Sequence, residues 1–485
     1  MTLEGRYLGY DGRYLRMETE AGEVTLDYEA ATCTGAACPD PESFVPEVRL
    51  SGARRMGEVL LPALIAGFAA ENDLIAERIE IDDSQFAYLL GTGEASVLRF
   101  RFRLSTSDEG FADLLANEAD IALSVREVLP IERERGREVG LGDLGATGRS
   151  QIVAIDALVP IVSAAREARE AILLTDLARA FGGEIDDWAA LGEAEAMPLV
   201  LHLTDDWTGL AQGFVERVLT ATDRTLAATV VRHPDPASVA EAVAVDAQAL
   251  GIVPYLSYGN AHPLGLAGAC GLVSLPELTT LKTEDYPLAM PLFLYFPMRR
   301  LPPLAADFLG WMRTGPAQFI VRRAGFVDLG VERIPVRDQG QRFARAILDA
   351  GRETRLSELQ RMTRLLAPRV RLSTTFRFGR GATELDPQSR TNLFQLAADI
   401  RDGAHDGQTL LLLGFTDGIG PASANRRLGA ERADEVLATL LAALGGALPE
   451  GVEVRTEGFG EALPMGCDDT EWGRQINRRV ELWVD

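Results

Sequence analysis

Two residues near the end of this 485-residue chain could together recognise a zwitterion. Asp417 closes the apolar run from Thr409 to Phe415, just before Gly418-Ile419-Gly420, so its carboxylate is expected at an exposed loop rim. Arg432 lies fifteen residues further on, inside a helical pattern. A carboxylate accepts from an ammonium group, and a guanidinium grips a carboxylate through two parallel hydrogen bonds. The plain alternative is a turn cap for Asp417 and a structural ion pair for Arg432. Cys33 and Cys38 bracket a Thr-Gly-Ala-Ala loop. A short-loop disulfide in an oxidising compartment is the preferred reading, with two free thiols as the alternative. Cys270 and Cys467 read as isolated. No catalytic set emerges. His202, His233, His262 and His405 are scattered without metal-ligand spacing, and neither a phosphate-binding glycine loop nor a nucleophilic serine elbow is present. No metal or cofactor is expected.

Length sets a prior of about three domains. A hydrophobic fraction of 47% with 25% charged residues excludes a mainly disordered chain. The net charge is −24, and Lys282 is the single lysine, so the positive charge is nearly all arginine. That balance argues against nucleic-acid partners but leaves room for a local anion site. No run reaches the ~18 apolar residues of a membrane helix. Met1-Thr2-Leu3-Glu4 has neither a basic nor an apolar leader region, so a periplasmic location would expect a signal segment already removed.

Residues 1–40 read as a small β-rich module, with an Asp11-Gly12 turn between Tyr-rich strands, a third strand over Glu23–Tyr28, and a linker at Pro39–Ser43. Residues 46–332 alternate short apolar strands with amphipathic helices, which argues for parallel α/β sheets. There, Leu98, Phe100, Phe102 and Leu104 alternate with Arg99, Arg101 and Arg103, a strand with one wet arginine face. Residues 333–369 read as an Arg-rich helical linker with a solvated face, containing Gly340 and Gly351. Residues 370–485 give strands near 374–378, 409–415, 452–458 and 479–484, with helices at 387–401 and 422–444. The order is β-α-β-α-β-β, a small α/β sandwich.

The run Leu413-Gly-Phe-Thr-Asp417-Gly-Ile-Gly420, then Asn425-Arg-Arg-Leu428, Glu431-Arg432-Ala433 and Asn477-Arg478-Arg479 resembles the OmpA-like peptidoglycan-binding domain. Phe376–Phe378, Leu385–Pro387 and Gly458–Glu461 fit its opening and closing segments. The resemblance implies that Asp417 and Arg432 are the primary contacts to diaminopimelate in the peptidoglycan stem peptide, with Thr416, Asn425 and Arg478 nearby. Departures are Gly429, where Ser is usual, and Trp472 in the final loop. Neither falls on the Asp417–Arg432 pair.

Residues 46–332 resemble the phosphate-type (PstS-like) periplasmic substrate-binding proteins, with a two-lobed fold. The likeness runs through Leu50-Ser-Gly52, Asp120–Arg126, Ala154–Val162, Gly251–Tyr255 and Phe308–Met312. It implies an anion pocket from Ser51, Gly52, Ala53 and Arg54, faced by Ser124 and Arg126, with Asp156 on the strand between lobes. A phosphate pocket needs hydroxyl donors, helix amides and an arginine. The second lobe should offer Arg-x-Asp-x-Ser-Gly-Thr. Here Asp206, Thr208 and Gly209 remain, while Thr204 and Leu210 replace the arginine and the last hydroxyl, and Trp207 adds a large ring. Phosphate or a similar oxyanion, another small ligand, or none are all open. The expected whole is a non-catalytic periplasmic solute-binding protein of ABC-transporter type, anchored to peptidoglycan. A wall-anchored scaffold contacting an envelope protein is the alternative.

Overall fold

The computed structural model describes all residues except 1, 21, 41–43, 94, 167–168, 207, 349, 351–353, 380 and 383. Part of the linker at Pro39–Ser43, Trp207 and Gly351 therefore lie outside the described residues. Among the described residues no helix is long and apolar enough to cross a membrane. The chain forms two compact units. The first holds residues 1–153, 207–209 and 292–328; the second holds 154–206, 210–291 and 329–485.

The first unit opens with a three-stranded antiparallel sheet, Gly5–Tyr10, Tyr14–Thr19 and Gly22–Asp27. The Asp-Gly turn forms as the sequence requires. The Asp11 carboxylate accepts from the amides of Arg13 and Tyr14 at 2.9 and 2.6 Å, and Gly12 takes φ +96°. A larger sheet follows, in the order Ala289–Tyr295, Ile121–Ser124, Glu47–Ala53, Ser96–Ser105, Gln85–Gly91, Ile75–Glu80. Its strand Ser96–Ser105 buries Leu98, Phe100, Phe102 and Leu104 and exposes the three arginines between them. The helix expected from Arg54 begins with a π-helical stretch, Met56–Leu60, before Leu61–Glu71.

In the second unit the strands Val231–His233, Val200–Thr204, Ala249–Pro254 and Ser150–Val162 lie side by side; the last of these enters from the first unit. The final part of the chain forms a five-stranded sheet in the order Arg333–Pro335, Val370–Arg377, Arg479–Val484, Thr409–Phe415, Glu453–Gly460. Leu410 and Leu412 face one core with the helices Pro387–Arg401 and Ala422–Ala443. Leu411, Leu413 and Trp483 face a second core with Ala346, Leu359, Met362 and Leu366.

This corrects the expectation for residues 333–369. Its helices Gly340–Leu348 and Leu356–Leu366 cover the second face of the sheet, and Arg333–Pro335 joins the sheet as an edge strand. A strand with an unbroken leucine run needs apolar cover on both faces. The solvated-face reading of its arginines also fails for Arg342, which is mostly covered and pairs with the fully buried Glu481 at 2.5 Å.

Buried charge joins the last domain to the rest of the second unit. Asp285 accepts from Arg371 at 3.0 Å and Arg377 at 3.2 Å, while Arg479 and Arg342 converge on Glu481. Burial pushes both carboxyls up, but the surrounding guanidinium groups outweigh it and hold both below the usual range. Glu284 behaves differently. Burial raises its pKa to about 8 against the pull of Arg377. Because the folded state holds that proton more tightly than the unfolded chain, stability falls as pH rises from about 4.5 through about 8. Glu284→Gln is expected to remove this slope, gaining about 1–3 kcal/mol over the parent by pH 9 in urea unfolding.

Candidate functional site

Close backbone approach builds the rim at the end of the strand Thr409–Phe415. A side chain at Gly414 would meet the carbonyl of Gly429 at 1.7 Å, and one at Gly458 would meet the carbonyl of Arg426 at 2.4 Å. The helix Ala422–Ala443 therefore lies directly against two strands, and the glycine in place of serine at 429 allows it. Thr416 and Asp417 follow the strand, Arg432 projects from the helix, and Arg478 precedes the last strand.

Asp417 pairs with Arg478 at 3.1 Å, and Arg478 also donates to Glu471 at 2.7 Å and to the Phe378 carbonyl at 3.3 Å. Arg432 is 1% exposed. Among the described residues it donates only to carbonyls: Ala382 at 3.3 Å, and Phe415 and Gly379 at 3.5 Å. Its guanidinium also lies 5.1 Å from the centre of the Phe378 ring. No carboxylate among the described residues lies within ion-pair reach of it. Burial, reinforced by Arg478 and opposed by Asp417, lowers its pKa to about 10, so it is charged at neutral pH. Thr416 Oγ1 is buried without a hydrogen-bond partner among the described residues. Asn425 donates to Glu461 at 2.7 Å. Of the residues expected from the sequence, Asp417 thus contacts Arg478, Arg432 lies within electrostatic reach of both, Thr416 adjoins Asp417 in the chain, and Asn425 is held by Glu461. Asp417, however, is paired to Arg478 instead of standing alone.

Sequence reasoning missed Asp468 and Glu471. Asp468 accepts from the Gly418 amide at 2.8 Å and from Asn477 at 2.9 Å. Asp468 lies in an irregular loop and Glu471 opens a short helix, and local spacing marks neither. The short helix Glu471–Asn477 was likewise unexpected.

In the first unit, each side chain of the expected anion pocket already has a partner. Ser51 Oγ donates to Asp113 at 2.5 Å, and Asp113 also pairs with Arg103. Gly52 adopts φ +131°, and a side chain there would meet the Leu123 carbonyl at 2.2 Å. Ala53 is buried, and Arg54 pairs with Glu58 one turn on. Ser124 Oγ closes its own turn on the Arg126 carbonyl at 2.7 Å. Arg126 is held by Glu132 at 2.6 Å and by Asp108. Thr208 is buried, and a side chain at Gly209 would touch Ala53 at 3.6 Å. In the second unit, Asp156 accepts from the amides of Ala157 and Tyr255 at 2.8 and 3.2 Å, and Asp206 pairs with Arg232. There the structure also brings His202 and His233 to 2.9 Å, from adjacent strands. Burial, then His233, lowers the His202 pKa. Among the described residues no group of three or more His, Cys, Asp or Glu could hold a metal.

Cys33 and Cys38 form the expected disulfide. Cys270 and Cys467, read as isolated, form a second one across 197 residues of sequence. Fold proximity, invisible to spacing, makes that bond.

Residues 377–478 match the model of the OmpA family. The C-terminal part of the chain is an OmpA-family domain. Residues 94–314 match the model of a PBP superfamily domain, so a two-lobed α/β binding-protein fold precedes the OmpA-family domain. The chain is 35% identical over 103 residues to Outer membrane protein A of Bordetella avium, covering 21% of this chain and 48% of that protein. It is 32% identical over 117 residues to Outer membrane porin F of Pseudomonas fluorescens, covering 24% and 33%. The chain thus spans between a third and a half of the length of these relatives. An ABC-type phosphate transport receptor from Vibrio cholerae superposes with a TM-score of 0.44 at 14% identity, covering 58% of this chain and 99% of that one.

The OmpA-family domain holds a buried cation, Arg432, without a carboxylate partner among the described residues. A depressed arginine pKa means the charged form is disfavoured in the fold, so its cost is present below pH 10 and fades above it. Arg432→Met is therefore expected to leave urea-unfolding stability of the free protein within about 1 kcal/mol of the parent or to raise it. Arg371→Met, which leaves the buried Asp285 with Arg377 as its remaining partner, is expected to cost about 2–3 kcal/mol, below the full penalty of a stranded charge.

Proposed function

We propose that this chain is a non-catalytic envelope binding protein, located in the periplasm and held to peptidoglycan by its OmpA-family domain. The observation that carries this reading is the charged, buried Arg432 near Asp417, with only carbonyl partners among the described residues. A ligand carboxylate reaching Arg432 would supply the missing counter-charge, and its ammonium would sit against Asp417. Diaminopimelate in a stem peptide offers both groups. Thr416 Oγ1 is an unused donor for the same ligand. The names of the envelope relatives support the location, and the disulfides accord with an oxidising compartment.

For the binding-protein domain, the first reading is capture of phosphate or a similar oxyanion, handed to an ABC transporter. A specific observation favours a second reading, a wall-anchored scaffold contacting an envelope protein. The donors Ser51, Arg54, Ser124 and Arg126 are all engaged within the protein, three of them by carboxylates. An entering oxyanion would have to displace those partners.

Calorimetric titration of the full chain with a diaminopimelate-containing muropeptide is expected to give saturable binding, weakened at least tenfold by Arg432→Met and by Asp417→Asn. Absence of binding, or binding indifferent to both substitutions, would overturn the proposal. In a parallel thermal-shift series at constant ionic strength, the oxyanion reading expects inorganic phosphate at 100 times its Kd to add about 2.7 kcal/mol. No shift selects the scaffold reading.

A further inference from the structure

The loop from Met465 to Asn477 touches two things at once. On one side it is fastened to the second lobe of the binding-protein fold. Cys467 is bonded to Cys270, and the Cys270 amide donates to Cys467 Sγ at 3.2 Å. The Ala269 amide donates to Asp469 at 3.0 Å, and Trp472 Nε1 donates to the Arg217 carbonyl at 3.0 Å. Gly268 permits the approach, since a side chain there would stand 2.4 Å from Cys467 Sγ. On its other side the same loop reaches the Asp417 rim. Asp468 receives the Gly418 amide at 2.8 Å, and Glu471 receives Arg478 at 2.7 Å, leaving the second guanidinium nitrogen of Arg478 for Asp417 at 3.1 Å. The loop is internally stiff. Asn477 closes it through the amides of Met465 and Gly466 at 2.7 and 3.0 Å, and Arg474 donates to the Asp468 carbonyl at 2.7 Å.

We propose that this loop is a strap through which the second lobe positions the rim of the Asp417–Arg432 site, with Asp468 and Glu471 as positioning residues and with Cys270–Cys467 and Trp472 as its fastenings. The inference rests on the proposed wall-binding role for its ligand, but not for its mechanics. Each link is a single residue step. Cys467 adjoins Asp468, which fixes the backbone at Gly418. Trp472 adjoins Glu471, which orients Arg478 and through it Asp417. Fastening a loop before binding removes ordering cost from the binding step.

The test uses the full chain and three variants. These are Cys270→Ser with Cys467→Ser, Trp472→Phe, which keeps an aromatic ring, though a smaller one, but loses the N–H donor, and Cys33→Ser with Cys38→Ser as a control. Two readouts are taken: muropeptide affinity and site-resolved hydrogen exchange. The strap predicts that the Gly418 amide loses protection at least tenfold in the double serine variant, and to a smaller extent in Trp472→Phe. Core amides at Leu412 and Leu482 should hold their rates, and the control should match the parent. Affinity for the muropeptide should fall about fivefold or more in step with Gly418 protection. Unchanged Gly418 protection in both strap variants overturns the proposal, as does loss shared equally by the core amides. If the parent does not bind the muropeptide, the wall-binding reading fails by itself, while the exchange data still decide the strap. If the double serine variant does not fold, Trp472→Phe carries the decision on the same criteria.

Discussion

Charge buried between the second lobe and the OmpA-family domain governs how this protein is put together. Asp285, on the lobe side, and Glu481, in the last strand, are surrounded by Arg342, Arg371, Arg377 and Arg479. A buried ion cluster adds little over apolar packing when complete, but becomes very unfavourable once one member is stranded. The arrangement therefore enforces register more than it adds stability. Arg371 and Arg377 cannot be desolvated without Asp285 beside them, so the opening strand of the OmpA-family domain is placed by a residue from another part of the chain. The Cys270–Cys467 bond then closes the same junction covalently.

The same physics, inverted, marks the candidate site. Where the structural arginines are matched by carboxylates, Arg432 is not. Its partners among the described residues are backbone oxygens at the edge of hydrogen-bond range, and this, not its lowered pKa, sets it apart, since burial lowers the pKa of Arg342 and Arg479 within the complete cluster as well. Unmatched buried charge costs stability, and that cost is the physical ground of the proposal that a ligand carboxylate reaches Arg432. The anion pocket shows the reverse pattern. Arg126 is fully matched by Glu132 and Asp108, as a structural arginine would be.

Much of the fold was legible because it obeys short-range rules. The Asp11-Gly12 hairpin, the alternating strand with its arginine face, and the helix Pro387–Arg401 behind its Asp386 cap all follow from local pattern. The role of residues 333–369 was not legible from their own composition, since arginines look solvated in isolation. The leucine run 410–413 did carry the clue, because both of its faces had to be covered. The Asp417–Arg432 pair could be proposed from ordered motifs, yet the contacts around it could not. Arg478 pairing with Asp417, and the support from Asp468 and Glu471, depend on a loop whose shape is set by a disulfide across 197 residues. Pairings of that range leave no trace in spacing.

Buried charge and the Cys270–Cys467 bond at one junction are expected to make the second lobe and the OmpA-family domain one cooperative unit. Native-state hydrogen exchange of the full chain across a denaturant series tests it most directly. The account predicts that slow amides in Ala249–Pro254 and in Leu410–Leu413 open with the same free energy and the same denaturant dependence. Two distinct opening reactions, with the OmpA-family strands exchanging independently of the lobe, would contradict it.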